Sequence, residues 1–137
     1  MSRRKGRILA FQGIYSWDAG GMEKEDVLAL EWAKSDSGAD TVDGDSGTFA
    51  RLIIAGTIEN QNQIDEIIKK HLTNWTIDRV NKVSLAILRI SVYSLLFMKD
   101  VPPTIVIDEA IDIAKEYGQD DAFKFINGIL DNIKKDL

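Results

Sequence analysis

The chain of 137 residues has no cysteine, one histidine and two prolines, and each scarcity removes a class of function. Without thiols there is no disulfide, no thiolate nucleophile and no thiolate metal site, and a reducing, cytoplasmic setting is expected. His71 falls at a predicted helix end, which suits a surface or capping role better than catalysis. No apolar run approaches the ~18 residues of a membrane span. The longest patch, Ile90 to Met98, is broken by Ser91, Tyr93 and Ser94. The basic opening lacks the apolar core of a secretory signal. Phosphate-cradling loops of the Gly-x-x-x-x-Gly-Lys and Gly-x-Gly-x-x-Gly kinds are absent. Gly44-Asp45-Ser46-Gly47 lacks the strand–turn–helix setting of a nucleophile elbow. Asp108 and Glu109 are neighbours on a helix and diverge, whereas paired acid–base work needs convergent carboxylates. No catalytic residue, metal site or cofactor is therefore expected.

What is present is helical periodicity, which predicts an all-α single domain over 1–137. The first helix is predicted over 4–19, with Ile8, Phe11, Ile14 and Tyr15 on one face and Gly20-Gly21 ending it. A second, over 23–34, carries Val27, Leu28, Leu30 and Trp32. Residues 35–48 are Asp, Gly and Ser turn chemistry without calcium-loop spacing, and a mobile loop is expected there. A long third helix over 49–71 has Phe49, Leu52, Ile53, Gly56, Gln63, Ile64, Ile67 and Ile68 inward. Gly56 inside it predicts a close helix crossing. Thr76 begins another helical stretch, broken near Asn81, which runs to Met98. After Pro102-Pro103, Thr104 is the expected N-cap of a helix running to Tyr117 and closed by Gly118. Asp120 or Asp121 caps the last helix, in which Gly128 is expected to permit close packing and Asn127 to bond neighbouring backbone.

Charge is unevenly placed. The net charge is −5, which argues against a polyanionic partner. Yet four of the 17 basic residues are Arg3, Arg4, Lys5 and Arg7, with no acid before Asp18, leaving 13 basic against 22 acidic residues elsewhere. Screening over about 8 Å lets such an end act locally. On a helix Arg3, Arg4 and Arg7 form a ridge suited to a phosphate backbone, and Gln12 and Tyr15 lie further along to offer base-edge and stacking contacts. Lys124-Phe125 pairs a cation with a ring, a usable element for single-stranded RNA. By helical position Phe125 is as compatible with the core as with the surface.

Four blocks in order resemble the NusB family of RNA-binding transcription antitermination factors: residues 3–17, 86–96, 101–117 and 121–131. The most telling are Val106-Ile107-Asp108-Glu109-Ala110 and Phe125-Ile126-Asn127-Gly128. The resemblance implies about seven helices in two packed sub-bundles. It also implies binding of boxA-type single-stranded RNA of ribosomal RNA operons, together with the ribosomal protein NusE and the RNA polymerase elongation complex. Carried over residue by residue, it assigns RNA contacts to Arg3, Arg4, Lys5, Arg7, Gln12, Asp121 and Phe125, with Lys124 beside them, and the NusE side to Tyr15. Ser84 departs from the family, standing where a relative offers an acid toward NusE, and Asp108 replaces a common asparagine. Some members of the family form homodimers; this sequence leaves monomer or homodimer open. The alternative reading is a helical protein-interaction scaffold that does not touch RNA.

Overall fold

A computed structural model describes residues 2–33, 44–73 and 76–137. Their apolar spacing resolves into seven α-helices: α1 (Ser2–Asp18), α2 (Lys24–Ala29), α3 (Asp45–Glu59), α4 (Gln61–Lys70), α5 (Lys82–Phe97), α6 (Pro103–Tyr117) and α7 (Ala122–Lys135). Two 3₁₀ turns, Glu31–Ala33 and Ile77–Arg79, join them, and no strand occurs among the described residues. None of these helices is long and apolar enough to cross a membrane.

Helix α5 is the axis of the molecule. Every residue from Ser84 to Leu95 is buried, so the helix is enclosed on all sides rather than along one stripe. On one side α1, α2 and α3 pack together; on the other α6 and α7 pack on each other; both groups close on α5, and α4 bridges α5 and α7. This is the two-sub-bundle arrangement expected. Asn81 starts α5 by accepting the Ser84 N–H at 2.8 Å, the break expected there. His71 ends α4, its ring nitrogens 2.9 Å from the Ile67 carbonyl and 2.7 Å from Asp136 Oδ2, a structural post.

Several boundaries differ from the sequence expectation, each for a local reason. The second helix stops at Ala29 because Leu30 turns left-handed (φ 59°) and closes α2 through its N–H to Val27. Its side chain is fully buried, and a buried leucine (about 1.5–3 kcal/mol) offsets a left-handed backbone (about 1–2 kcal/mol). Trp32 then sits in the 3₁₀ turn, donating its indole N–H to Val27 O at 3.0 Å. The long third helix divides at Asn60, whose side-chain amide donates to Gly56 O at 2.8 Å and competes with the helical ladder. Leu52 and Gln63, expected inward, are exposed. Helix α3 begins at Asp45, so 45–48 of the expected loop are helical, while 35–43 lie outside the described residues. Pro102, not Thr104, is the N-cap of α6, because Pro103 at N1 has the fixed φ and missing N–H that a first turn tolerates.

The expected close crossing is present: a methyl at Gly56 would lie 2.3 Å from the Tyr93 ring. Gly6 marks a second, where a methyl would stand 2.7 Å from Phe49 Cδ2 and 3.0 Å from the Ser46 carbonyl oxygen. Gly128 is the opposite case. It is exposed and a methyl there meets nothing, so the packing role expected of it is not found; Asn127 is exposed too. The two glycines should therefore respond with opposite sign. Gly128→Ala is expected to stabilise by roughly 0.5–1 kcal/mol through helix propensity, and Gly6→Ala to destabilise by about 1–3 kcal/mol through overpacking. Urea unfolding of both variants checks this; the same sign for both would contradict it.

Candidate nucleic-acid interface

The four N-terminal cations share the first turns of α1 but not one environment. The Arg3 guanidinium lies over the Phe49 ring, 4.4 Å from its centroid, with its side chain exposed. Arg4 is half-exposed and ion-paired across to α6, 3.1 Å from Asp112 Oδ2 and 3.4 Å from Glu109 Oε1. The hydrogen bond to Asp112, followed by the Glu109 charge, holds its pKa above the usual arginine value. Lys5 is exposed. Arg7 departs from the expected ridge. It is only 8% exposed, its guanidinium lies 5.3 Å from the Phe49 centroid, and its Nε has no hydrogen-bond partner. Burial lowers its pKa, opposed by Glu109 and reinforced by Arg3. Arg7 turns inward because the α1–α3 crossing at Gly6 brings Phe49 beneath it.

Of the other expected site residues, Gln12 and Tyr15 line one cleft and Ser84, Asp121 and Phe125 a second, while Lys124 lines neither. The larger, about 810 Å³, is lined by Lys5, Gln12 and Tyr15 of α1 together with Trp32, Val83 and Tyr117. Tyr15 is 40% exposed, facing this opening rather than the core. The Tyr117 hydroxyl is pushed up in pKa by burial and then by Glu116. The smaller cleft, about 280 Å³, is lined by Arg79, Asn81, Ser84, Gln119, Asp121 and Phe125. Val83 and Ser84 are consecutive, and Tyr117 and Gln119 nearly so. Both clefts therefore border on the start of α5 and the α6–α7 junction.

Phe125 packs on the edge of the core while lining the small cleft, so it is half-buried rather than wholly core or wholly surface. Lys124 beside it is exposed, 3.7 Å from Asp121, a solvent-screened pair. Asp121 begins α7 without a side-chain cap bond, leaving its carboxylate at the cleft rim. Ser84 is 2% exposed, and its side chain sits in the floor of the cleft rather than on a docking surface.

A buried ion network that the sequence reading missed ties α1, α4 and α5 together. Arg89 of α5 is 5% exposed and grips Asp65 of α4 with two bonds of 2.9 Å, Nε to Oδ1 and an Nη to Oδ2. Its other Nη lies 3.0 Å from Asp18 at the end of α1, an approach off the hydrogen-bond axis, and Lys82 reaches the same carboxylate at 3.2 Å. The neighbouring carboxylates outweigh burial and raise the Arg89 pKa. The signal available was one arginine between the apolar residues Leu88 and Ile90, a position that demands a partner.

With this geometry in view, the comparisons with known proteins are specific. The model of the NusB family matches residues 4–135. The chain is 51% identical to the transcription antitermination protein NusB of Treponema denticola, over 98% of this chain and 96% of that one. It is 39% identical to the protein of the same name from Bacillus licheniformis, over 100% and 99%. Among solved structures, T. maritima NusB superposes with a TM-score of 0.83 at 36% identity, over 97% of this chain and 90% of that one. A crystal structure of antitermination factors NusB and NusE in complex with dsRNA superposes with a TM-score of 0.84 at 30% identity, over 99% and 98%.

Proposed function

This chain belongs to the NusB family, and we propose from that premise how it works as a transcription antitermination factor. It binds boxA-type RNA jointly with NusE and so helps the RNA polymerase elongation complex, in the cytoplasm, to resist termination. The observation that carries this reading is that Lys5 and Gln12 of α1 line one cleft while Asp121 and Phe125, more than 100 residues away, line a second, and both clefts border on the start of α5 and the α6–α7 junction. Arg3 and Lys5 supply exposed charge for phosphates, Lys124 adds charge beside Phe125, and the Phe125 ring offers a platform for an unpaired base. Gln12 addresses a base edge, and Tyr15 faces the protein partner. The acidic body keeps affinity for RNA alone modest, and NusE raises it by making the second contact effectively intramolecular.

The test is a titration of a short boxA-type RNA, with and without NusE, at two salt concentrations. Each phosphate contact on a single strand contributes about 0.7 to the logarithmic salt slope, so Arg3→Ala/Lys5→Ala is expected to flatten it by roughly 1.4. Arg7 is left in place, since its removal empties a buried position. Unchanged slopes would contradict the assignment of Arg3 and Lys5, and negligible binding in every tube would favour the scaffold that does not touch RNA.

A further inference from the structure

Arg4 is occupied in a way that Arg3 and Lys5 are not. Its guanidinium is half-exposed, within reach of a polyanion, yet already bridges Asp112 and Glu109 of α6. No other N-terminal cation has an ion-pair partner among the described residues: Arg3 rests on a ring, Lys5 is exposed and Arg7 is buried. Asp112 is 47% exposed at its side chain and Glu109 21%, so solvent screens the pair and the bridge is one that a phosphate can displace. Both acids lie on the first three turns of a helix anchored by buried Val106, Ile107, Ala110 and Ile113. Their backbone positions are therefore fixed by the packing of α6.

We propose that Asp112, assisted by Glu109, sets RNA affinity by competing with phosphate for the Arg4 guanidinium. The inference rests on the RNA-binding reading above. In the free protein the two carboxylates hold Arg4; on RNA binding a phosphate oxygen takes their place or shares the cation. The acids thereby lower the contribution of Arg4 to affinity without removing the cation. A chain with a strongly basic first turn is kept from gripping any polyanion indiscriminately, and tight binding is left to the complex with NusE.

The experiment is a mutant cycle read by fluorescence anisotropy of a labelled boxA-type RNA, in the presence of NusE. Glu109→Gln/Asp112→Asn is expected to tighten binding by roughly two- to fivefold, the worth of an exposed ion pair, and to steepen the logarithmic salt slope by about 0.7 as Arg4 becomes a full phosphate contact. In an Arg4→Gln background the same pair of substitutions is expected to change neither quantity. Equal tightening with and without Arg4 would overturn the inference, because long-range repulsion by the acids would then account for the gain. Binding by the wild type with no gain on neutralising the acids would overturn it too, and would leave the RNA reading intact. If no variant binds RNA with NusE, the RNA reading falls and takes this inference with it. Circular dichroism on each variant guards the comparison. If Glu109→Gln/Asp112→Asn unfolds, the single substitution Asp112→Asn carries the test, with a smaller gain in the same direction expected.

Discussion

Arg89→Ala is expected to cost about 3–5 kcal/mol of folding stability. The reason is what the arginine leaves behind. Asp65 loses both of its 2.9 Å bonds and Asp18 loses its buried cation, so two carboxylates at the junction of α1, α4 and α5 are left without their principal counter-charge. Lys82 reaches Asp18 but not Asp65, and compensates only one of them. Arg89→Lys is expected to recover little, because a point charge cannot reproduce the planar two-bond grip on Asp65. Arg89→Met combined with Asp65→Leu is expected to recover much of the loss, since a buried ion pair replaced as a unit by apolar groups is often neutral. Urea denaturation of the three variants measures these differences. A loss below about 1 kcal/mol for Arg89→Ala would mean that solvent reaches the network and that the burial argument is wrong.

Arg89 also shows where the sequence is legible and where it stops. An arginine flanked by apolar residues on both sides announces that it has a partner, but not which one. Asp65 and Asp18 are 24 and 71 positions away, and nothing in their sequence neighbourhoods distinguishes them from the chain's other acids. The helices were legible because burial imposes a period on neighbouring residues. The breaks at Leu30 and Asn60 were not, because each depends on a single side chain finding a place in the tertiary structure. The site behaves in the same way. That Arg4 and Arg7 lie three apart on a helix follows from the sequence, and a common face for them was the natural inference. Phe49 and Asp112, both distant in the chain, send one inward and bind the other across to α6. Of the residues assigned by family resemblance, those lining the clefts depend on the course of the helices, which the sequence does encode.

Phe125→Leu is expected to lower RNA affinity by roughly 5- to 150-fold while changing stability by less than about 1.5 kcal/mol. Phe125 has two duties that alanine would not separate, since truncation would both empty the edge of the core and remove the ring from the cleft. Leucine keeps an apolar side chain against the core and abolishes the π-face. Phe125→Tyr keeps the face and is expected to bind RNA nearly as the wild type does. An unpaired base stacking on the ring is worth about 1–3 kcal/mol, which sets the expected range. The same argument predicts that a fully paired duplex of the boxA-type sequence is insensitive to Phe125→Leu, because its bases are already stacked on each other. Anisotropy titrations of single strand and duplex against all three proteins, with urea unfolding alongside, separate packing from stacking. If leucine binds the single strand as well as phenylalanine does, the ring is a packing residue, and Arg3, Arg4, Lys5 and Lys124 are left to carry RNA by charge alone. The salt slope would then account for nearly all of the affinity, and discrimination between single strand and duplex would have to come from NusE.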